Sequence, residues 1–224
     1  MATRLYFHSA ANANVGTFPT TEQSAATAQA TATGANTLRT MNTTISTTPQ
    51  SSLAVTTSPV TTAQNNFMGF FCSKPLRGNQ TVGGGTMILN GAENESNAAA
   101  NWWINSLNIY VWRPSTGTRV GVVRDAAGTS LGGLEPNATN NIQVSHITGI
   151  TSTAVSALDG DVVICEVWVR ATQGATMSYI GTFYYDGTTA NTTENAVVTS
   201  HASFIELTEN LTFKGNARAY GFII

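Results

Sequence analysis

The stretch Asp161–Ala171, DVVICEVWVRA, decides the fold class. Val163, Cys165, Val167 and Val169 recur at every second residue, the period that puts side chains on one face of a β-strand. Val162, Ile164, Glu166, Trp168 and Arg170 fall on the other face. The β-branched residues are stiff at χ1 and suit a pleated surface better than a helix. WINSLNIYVWRP, residues 103–114, repeats the pattern, with Leu107, Ile109 and Val111 on one side and Ser106, Asn108, Tyr110 and Trp112 on the other. SFIELTENLTF, residues 203–213, places Ile205, Leu207, Leu211 and Phe213 together, with Glu209 as an exception that marks a bulge or a rim. TMILN (86–90), RVGVVRD (119–125), NIQVSHITGI (141–150) and MSYIGTFYYDG (177–187) complete the set. Turn-forming runs separate them: RGN, VGGG, PSTG, AAGTSLGG, LDGD and YDGTTAN. Short strands at this spacing, with no convincing helix between them, predict an all-β antiparallel sandwich of jelly-roll type.

Composition narrows the class of partner. The chain has 224 residues, of which 10% are charged, and a net charge of −2. An ordinary globular domain carries about 25% charged residues. Nucleic acid calls for clustered Lys and Arg, so none is expected as a partner. No apolar run approaches the roughly 20 residues that cross a bilayer, and MATRLYFHSAANANVG lacks the apolar core of a secretory signal, so no membrane partner is expected. The two cysteines, Cys72 and Cys165, make no disulfide framework and read as reduced, partly buried thiols.

A composition break falls near Asn66. Before it the charged residues are Arg4, Glu22 and Arg39; all four tryptophans come after it. STTPQSSLAVTTSPVTTAQNN, residues 46–66, has neither charge nor aromatic ring. Residues 1–66 therefore read as an extended Thr/Ser/Ala-rich N-terminal arm and 67–224 as the sandwich. In the arm TRLYFH (3–8) and SSLAVTTSPV (51–60) have strand composition. The Ala/Gln-rich run from Thr21 allows a helix, but its repeated Thr disfavours one. Disordered segments usually combine low hydrophobicity with high net charge, and this segment lacks the charge, so the arm is expected to lie extended against another surface.

Candidate chemistry is sparse. His8, His146 and His201 stand apart, in no metal-ligand spacing. Glu93/Glu95 and Asp159/Asp161 are acidic pairs, but LDGD is also what a tight turn into a strand requires. A loop carboxylate pair can hold Ca²⁺, and a pair can serve a glycosidase; neither is favoured here. GGG at 83–85 has no following Lys and opens a strand, so it is no phosphate loop. Trp102, Trp103, Tyr110 and Trp112 suit core packing first, a subunit interface second and sugar stacking third. Asn-x-Ser/Thr at Asn42, Asn79, Asn94, Asn137, Asn191 and Asn210 reflects abundant Asn and Thr. No catalytic, cofactor-binding or metal-binding residue is assigned, and no cofactor is expected.

Four motifs carry a resemblance: Ser73-x-Pro75-Leu76 with a following Gln80-Thr81, Glu95-Ser96-Asn97-Ala98-Ala99, Ile109-x-Val111-Trp112-Arg113, and Gly160-Asp161-x-Val163-x-Cys165-Glu166. With the opening MATRLYF they resemble a group of tailed-bacteriophage virion proteins, over the first residues and about 67–213. The resemblance implies a structural, non-enzymatic part of the particle, assembled in the bacterial cytoplasm. A capsid cement or decoration protein is the first expectation. Its partners would be the major capsid protein or other virion proteins, with homo-oligomers, trimers among them, and the arm laid across neighbouring subunits. The alternative is a tail-fibre or baseplate module that binds host sugars through exposed faces of Trp102, Trp103 or Trp168. A polysaccharide hydrolase, with Glu93, Glu95, Asp159 and Asp161 converging in a cleft, ranks third.

Overall fold

A computed structural model of the chain describes residues 2–11, 30–32, 35–57, 62–125, 131, 135–136, 140–172 and 177–215. Its strands are β1 (Thr3–Ala11), β2 (Ala30–Thr31), β3 (Leu38–Asn42), β4 (Ser51–Thr56), β5 (Gln64–Ser73), β6 (Gln80–Val82) and β7 (Thr86–Glu95). They continue as β8 (Trp102–Arg113), β9 (Thr118–Arg124), β10 (Gln143–Thr151), β11 (Val155–Ala157), β12 (Val162–Ala171), β13 (Ile180–Tyr185) and β14 (Phe204–Leu207). Among the described residues there is no α-helix, only a 3-10 turn at Ala98–Ala100. The all-β sandwich expected from the period-two pattern is the architecture found, with a mixed rather than wholly antiparallel sheet, because β2 and β3 run parallel to β5.

Twelve strands form one sheet in the order β4-β13-β7-β14-β1-β3-β5-β12-β8-β9, with β10 on the other side of β7 and β2 beside β5; β6 and β11 form a separate ribbon. The long sheet folds over so that β7 and β13 lie against β8. Close approach makes this visible: a Cβ on Gly91 would sit 2.3 Å from Ile104 Cδ1, and one on Gly181 would sit 2.1 Å from the Trp102 ring. Glycine is required at both positions because only a bare backbone leaves room for the opposite layer.

The apolar sets align across strands as their spacing predicts. Val163 pairs with Val111, Cys165 with Ile109 and Val167 with Leu107. The other face of β12 is covered as well, with Glu166 fully buried and Trp168 3% exposed. The buried carboxylate of Glu166 accepts from Asn108 Nδ2 at 3.1 Å, its neighbour in register on β8. Cys72 and Cys165 are free and fully buried. Cys165 pairs with Phe71, and Cys72 with Ile164, so alternation sends the two thiols to opposite faces.

The boundary at residue 66 does not hold. β1 lies mid-sheet, antiparallel to β14 on one side and β3 on the other. Leu5 and Phe7 are 1% and 0% exposed, and Met41 on β3 is 0% exposed. Phe7 stacks on Phe71 with ring centroids 4.4 Å apart, which ties β1 to β5. Burying each such side chain contributes about 1.5–3 kcal/mol, more than an arm without a partner surface can gain. β4 pairs with β13 along its whole length and buries Leu53 and Val55. The low charge that suggested a detached arm has another origin: a strand in the middle of a sheet also has little room for charge. Arg4 shows how the exception is handled, its Nε donating to Glu206 at 2.7 Å across the β1–β14 ladder. Of the Ala/Gln-rich run from Thr21, the described parts are the strands β2 and β3 and a turn at residues 35–37; residues 21–29 and 33–34 lie outside the described residues.

Candidate functional site

Glu93 and Glu95 sit two apart on β7, so both side chains face the opposite layer. Each is 1% exposed. Glu95 accepts from the Trp102 backbone N–H at 3.2 Å, and Glu93 lies against the N–H of Ile104 and beside the Ser145 hydroxyl. β9 pairs with β8 only over Ile109–Arg113, and among the described residues no strand continues that ladder along the first half of β8, where Leu131 N–H donates to Asn105 O. The Glu95 carboxylate meets one backbone donor on that side, the Trp102 N–H, while the buried Glu93 oxygens form no hydrogen bond among the described residues. Burial pushes the Glu95 carboxyl up to about 7, against the opposing pull of the Trp102 N–H, with the charge of Glu135 adding to the rise. Burial pushes Glu93 well above the carboxylate range, and Glu194 and Glu95 raise it further. Among the described residues no Lys or Arg pairs with either.

Next to this corner the fold joins two histidines that are 55 residues apart in sequence. Asn90 bridges them, its Oδ1 3.0 Å from His146 Nδ1 and its Nδ2 3.0 Å from His201 Nε2. The Asn191 backbone N–H faces His201 Nδ1 at 3.3 Å. A protonated His201 would point N–H groups at donors on both sides. Burial first, and His146 second, lower its pKa to about 4. The His146 backbone N–H donates to the Glu194 carboxylate. The sequence had marked the histidines as separate; Asn90 and Glu194, which connect them, carry no local signal. Among the described residues no group of three or more His, Cys, Asp or Glu is arranged to hold a metal ion.

The second acidic pair lies at the other end of β8. Asp159 and Asp161 flank Gly160, whose φ of +90° requires glycine in practice, and Asp161 N–H closes the turn on Leu158 O at 3.1 Å. The turn reading of LDGD is what the structure contains. Asp161 forms a two-pronged bond with Arg113, Nε to Oδ1 and Nη2 to Oδ2, both 2.9 Å, and also accepts from Leu158 N–H at 2.8 Å. Asp159 accepts from Lys214 Nζ and from Gly78 N–H, each at 2.7 Å, and the Lys214 bond leads the causes that lower its pKa. Trp102 and Trp112, ten residues apart, mark the two ends of β8, so the acidic pairs stand roughly 30 Å apart along the strand. The convergence required of a two-carboxylate hydrolase is absent.

The aromatic cluster is mostly core. Trp102, Tyr110 and Trp112 are 0%, 0% and 1% exposed and Trp168 is 3% exposed, which leaves Trp103 alone half-buried. A row of open rings for sugar stacking is therefore missing at Trp102 and Trp168.

No family model and no curated protein matches the chain. Among solved structures, the chain is similar to the crystal structure of an aminopeptidase from the marine sediment archaeon Thaumarchaeota archaeon, with a TM-score of 0.43 and 11% identity over 75% of this chain. The chain spans about a third of that structure's length, 34%. A likeness this distant carries no argument about activity.

The four resemblance motifs can now be placed. Ser73 Oγ accepts from Val163 N–H at 2.9 Å, and Leu76 exchanges backbone hydrogen bonds with Asp161 and Gly160. Arg113 holds Asp161. Glu95 holds Trp102, Ser96 Oγ accepts from Ile180 N–H at 2.9 Å, and the Asn97 side chain caps the 3-10 turn. Three of the four motifs meet at the Asp161 end of the sandwich.

Proposed function

We propose that this protein is a structural component of a bacteriophage particle, a capsid cement or decoration protein that binds neighbouring subunits as a homo-oligomer. One observation carries the reading: every motif that gives the resemblance is a strut between strands. Arg113–Asp161, Ser73–Val163 and Glu95–Trp102 each tie one part of the sandwich to another. Residues spent in this way suit a protein whose task is to keep a shape. The low charge of the chain, 10% of residues, suits a surface that neighbours cover with little desolvation. Contact with the shell then belongs to the outer surface of the sandwich, because β1 and β3 are spent inside it and β4 is taken up as its edge strand.

Sedimentation with empty shells of the major capsid protein tests the proposal. The full chain is expected to pellet with the shells at fixed stoichiometry and to raise their melting temperature. A chain that stays in the supernatant, or a shell no more stable with it than without it, would contradict the cement role.

A further inference from the structure

Both lysines of the chain converge on one depression. Thr43, Lys74, Arg77, Leu211, Phe213 and Lys214 line it, and its volume is about 460 Å³. The whole chain has ten Lys and Arg and a net charge of −2, so three cations at one place run against the overall sign. One of them is spoken for, since Lys214 pairs with Asp159 at 2.7 Å. Lys74 and Arg77 are exposed and form no ion pair or side-chain hydrogen bond among the described residues; the Arg77 charge reaches Asp159 only at longer range. Two positive charges are left uncompensated on the rim.

The backbone that carries these cations is fixed in advance. Arg77 N–H donates to Thr212 O at 2.9 Å and Lys214 N–H to Pro75 O at 2.7 Å. The Gln80 amide spans the two segments, donating to Arg77 O at 3.0 Å and Thr212 O at 2.8 Å and accepting from Thr212 N–H at 2.8 Å. A preformed rim spares a ligand much of the ordering entropy of binding. The depression also has an apolar part: half-buried Phe213 continues into a narrow notch bounded by Leu5 and Met41 that shares Thr43, Lys74 and Phe213 with it.

We propose that this depression binds an acidic peptide segment of a partner protein, a carboxylate meeting Lys74 and Arg77 while an adjacent apolar side chain covers Phe213. Charge complementarity selects the carboxylate. The uncovered part of Phe213 selects a peptide over a free inorganic anion, which would use the rim alone. The inference goes beyond the structural role proposed above and does not depend on it. Because the rim is exposed, binding weakens as salt shortens the range of its field, to about 8 Å at physiological ionic strength.

The test is a randomised heptapeptide library panned against the full chain and against the Lys74→Gln/Arg77→Gln double variant. Both changes are on exposed side chains, and an unchanged melting curve verifies that the variant folds. Wild type is expected to enrich sequences pairing Asp or Glu with Leu, Ile or Phe. The double variant should retain those sequences at least tenfold less well, and Lys74→Arg should keep them. Absence of acidic enrichment, or equal retention by the double variant, overturns the proposal. Displacement of the selected peptides by an equal concentration of inorganic phosphate overturns it too, in favour of a free-anion site.

Discussion

Glu93/Glu95 and Asp159/Asp161 look alike in the sequence, each an acidic pair with one residue between. In the fold they are electrostatic opposites. The glutamates lie on a strand and face the opposite layer; Glu95 meets the Trp102 N–H, and neither meets a cation among the described residues. Burial therefore dominates and holds a proton on them. The aspartates lie in a turn, where Arg113 and Lys214 reach them, and Asp159 is pulled below its usual range. An i, i+2 carboxylate pair is thus defined by what the other strands bring to it, which is non-local information.

Three substitutions break or sharpen this contrast. Asp161→Ala removes the acceptor of three N–H bonds and leaves the Arg113 guanidinium without its partner. Losing that acceptor is expected to lower the denaturant unfolding midpoint at pH 7, by the largest shift of the three substitutions. Glu95→Gln acts through pH. With its pKa raised from 4.5 to about 7, Glu95 keeps in the native state a proton that the unfolded chain has released. Its contribution is therefore whole below about pH 4.5 and is lost as pH rises through 7. His201 slopes the other way, its lowered pKa favouring the native state as pH rises from 4 to 6.5. The readout is thus the difference between wild type and Glu95→Gln. That difference should swing toward the variant by roughly 2–3 kcal/mol between pH 4.5 and 8. Lys214→Gln should be the mildest, leaving the unfolding midpoint where it was, because its pair with Asp159 is about half exposed on both sides. A large loss there would mean that the turn end depends on that pair.

Much of the architecture was legible because period-two patterning is local. The sets Val163/Cys165/Val167 and Leu107/Ile109/Val111 met in register, and LDGD was a turn. The position of β1 was not legible. TRLYFH has strand composition, but nothing within it says that β14, some 200 residues later, will pair with it. Low charge then misled, since a strand enclosed by its own sheet and an arm covered by a neighbour both avoid Lys and Glu. The second face of β12 was hidden for a related reason: alternation shows that Glu166 and Trp168 share a side, not that the side is covered. At the candidate sites the acidic pairs were visible but their environments were not. The Asn90 bridge between His146 and His201 joins strand β7 to residues about 55 and 110 positions away. The Lys74/Arg77/Lys214 rim likewise exists only because Leu76 bridges to Phe213.

Carbon-detected NMR titration of the side-chain carboxyls compares the two pairs in a single experiment. Glu95 should titrate with a midpoint near 7, and Asp159 below 3.8. Midpoints for both inside the ordinary carboxylate range, near 4, would mean that water or a cation reaches the Glu93/Glu95 corner, and the contrast on which this account rests would be gone.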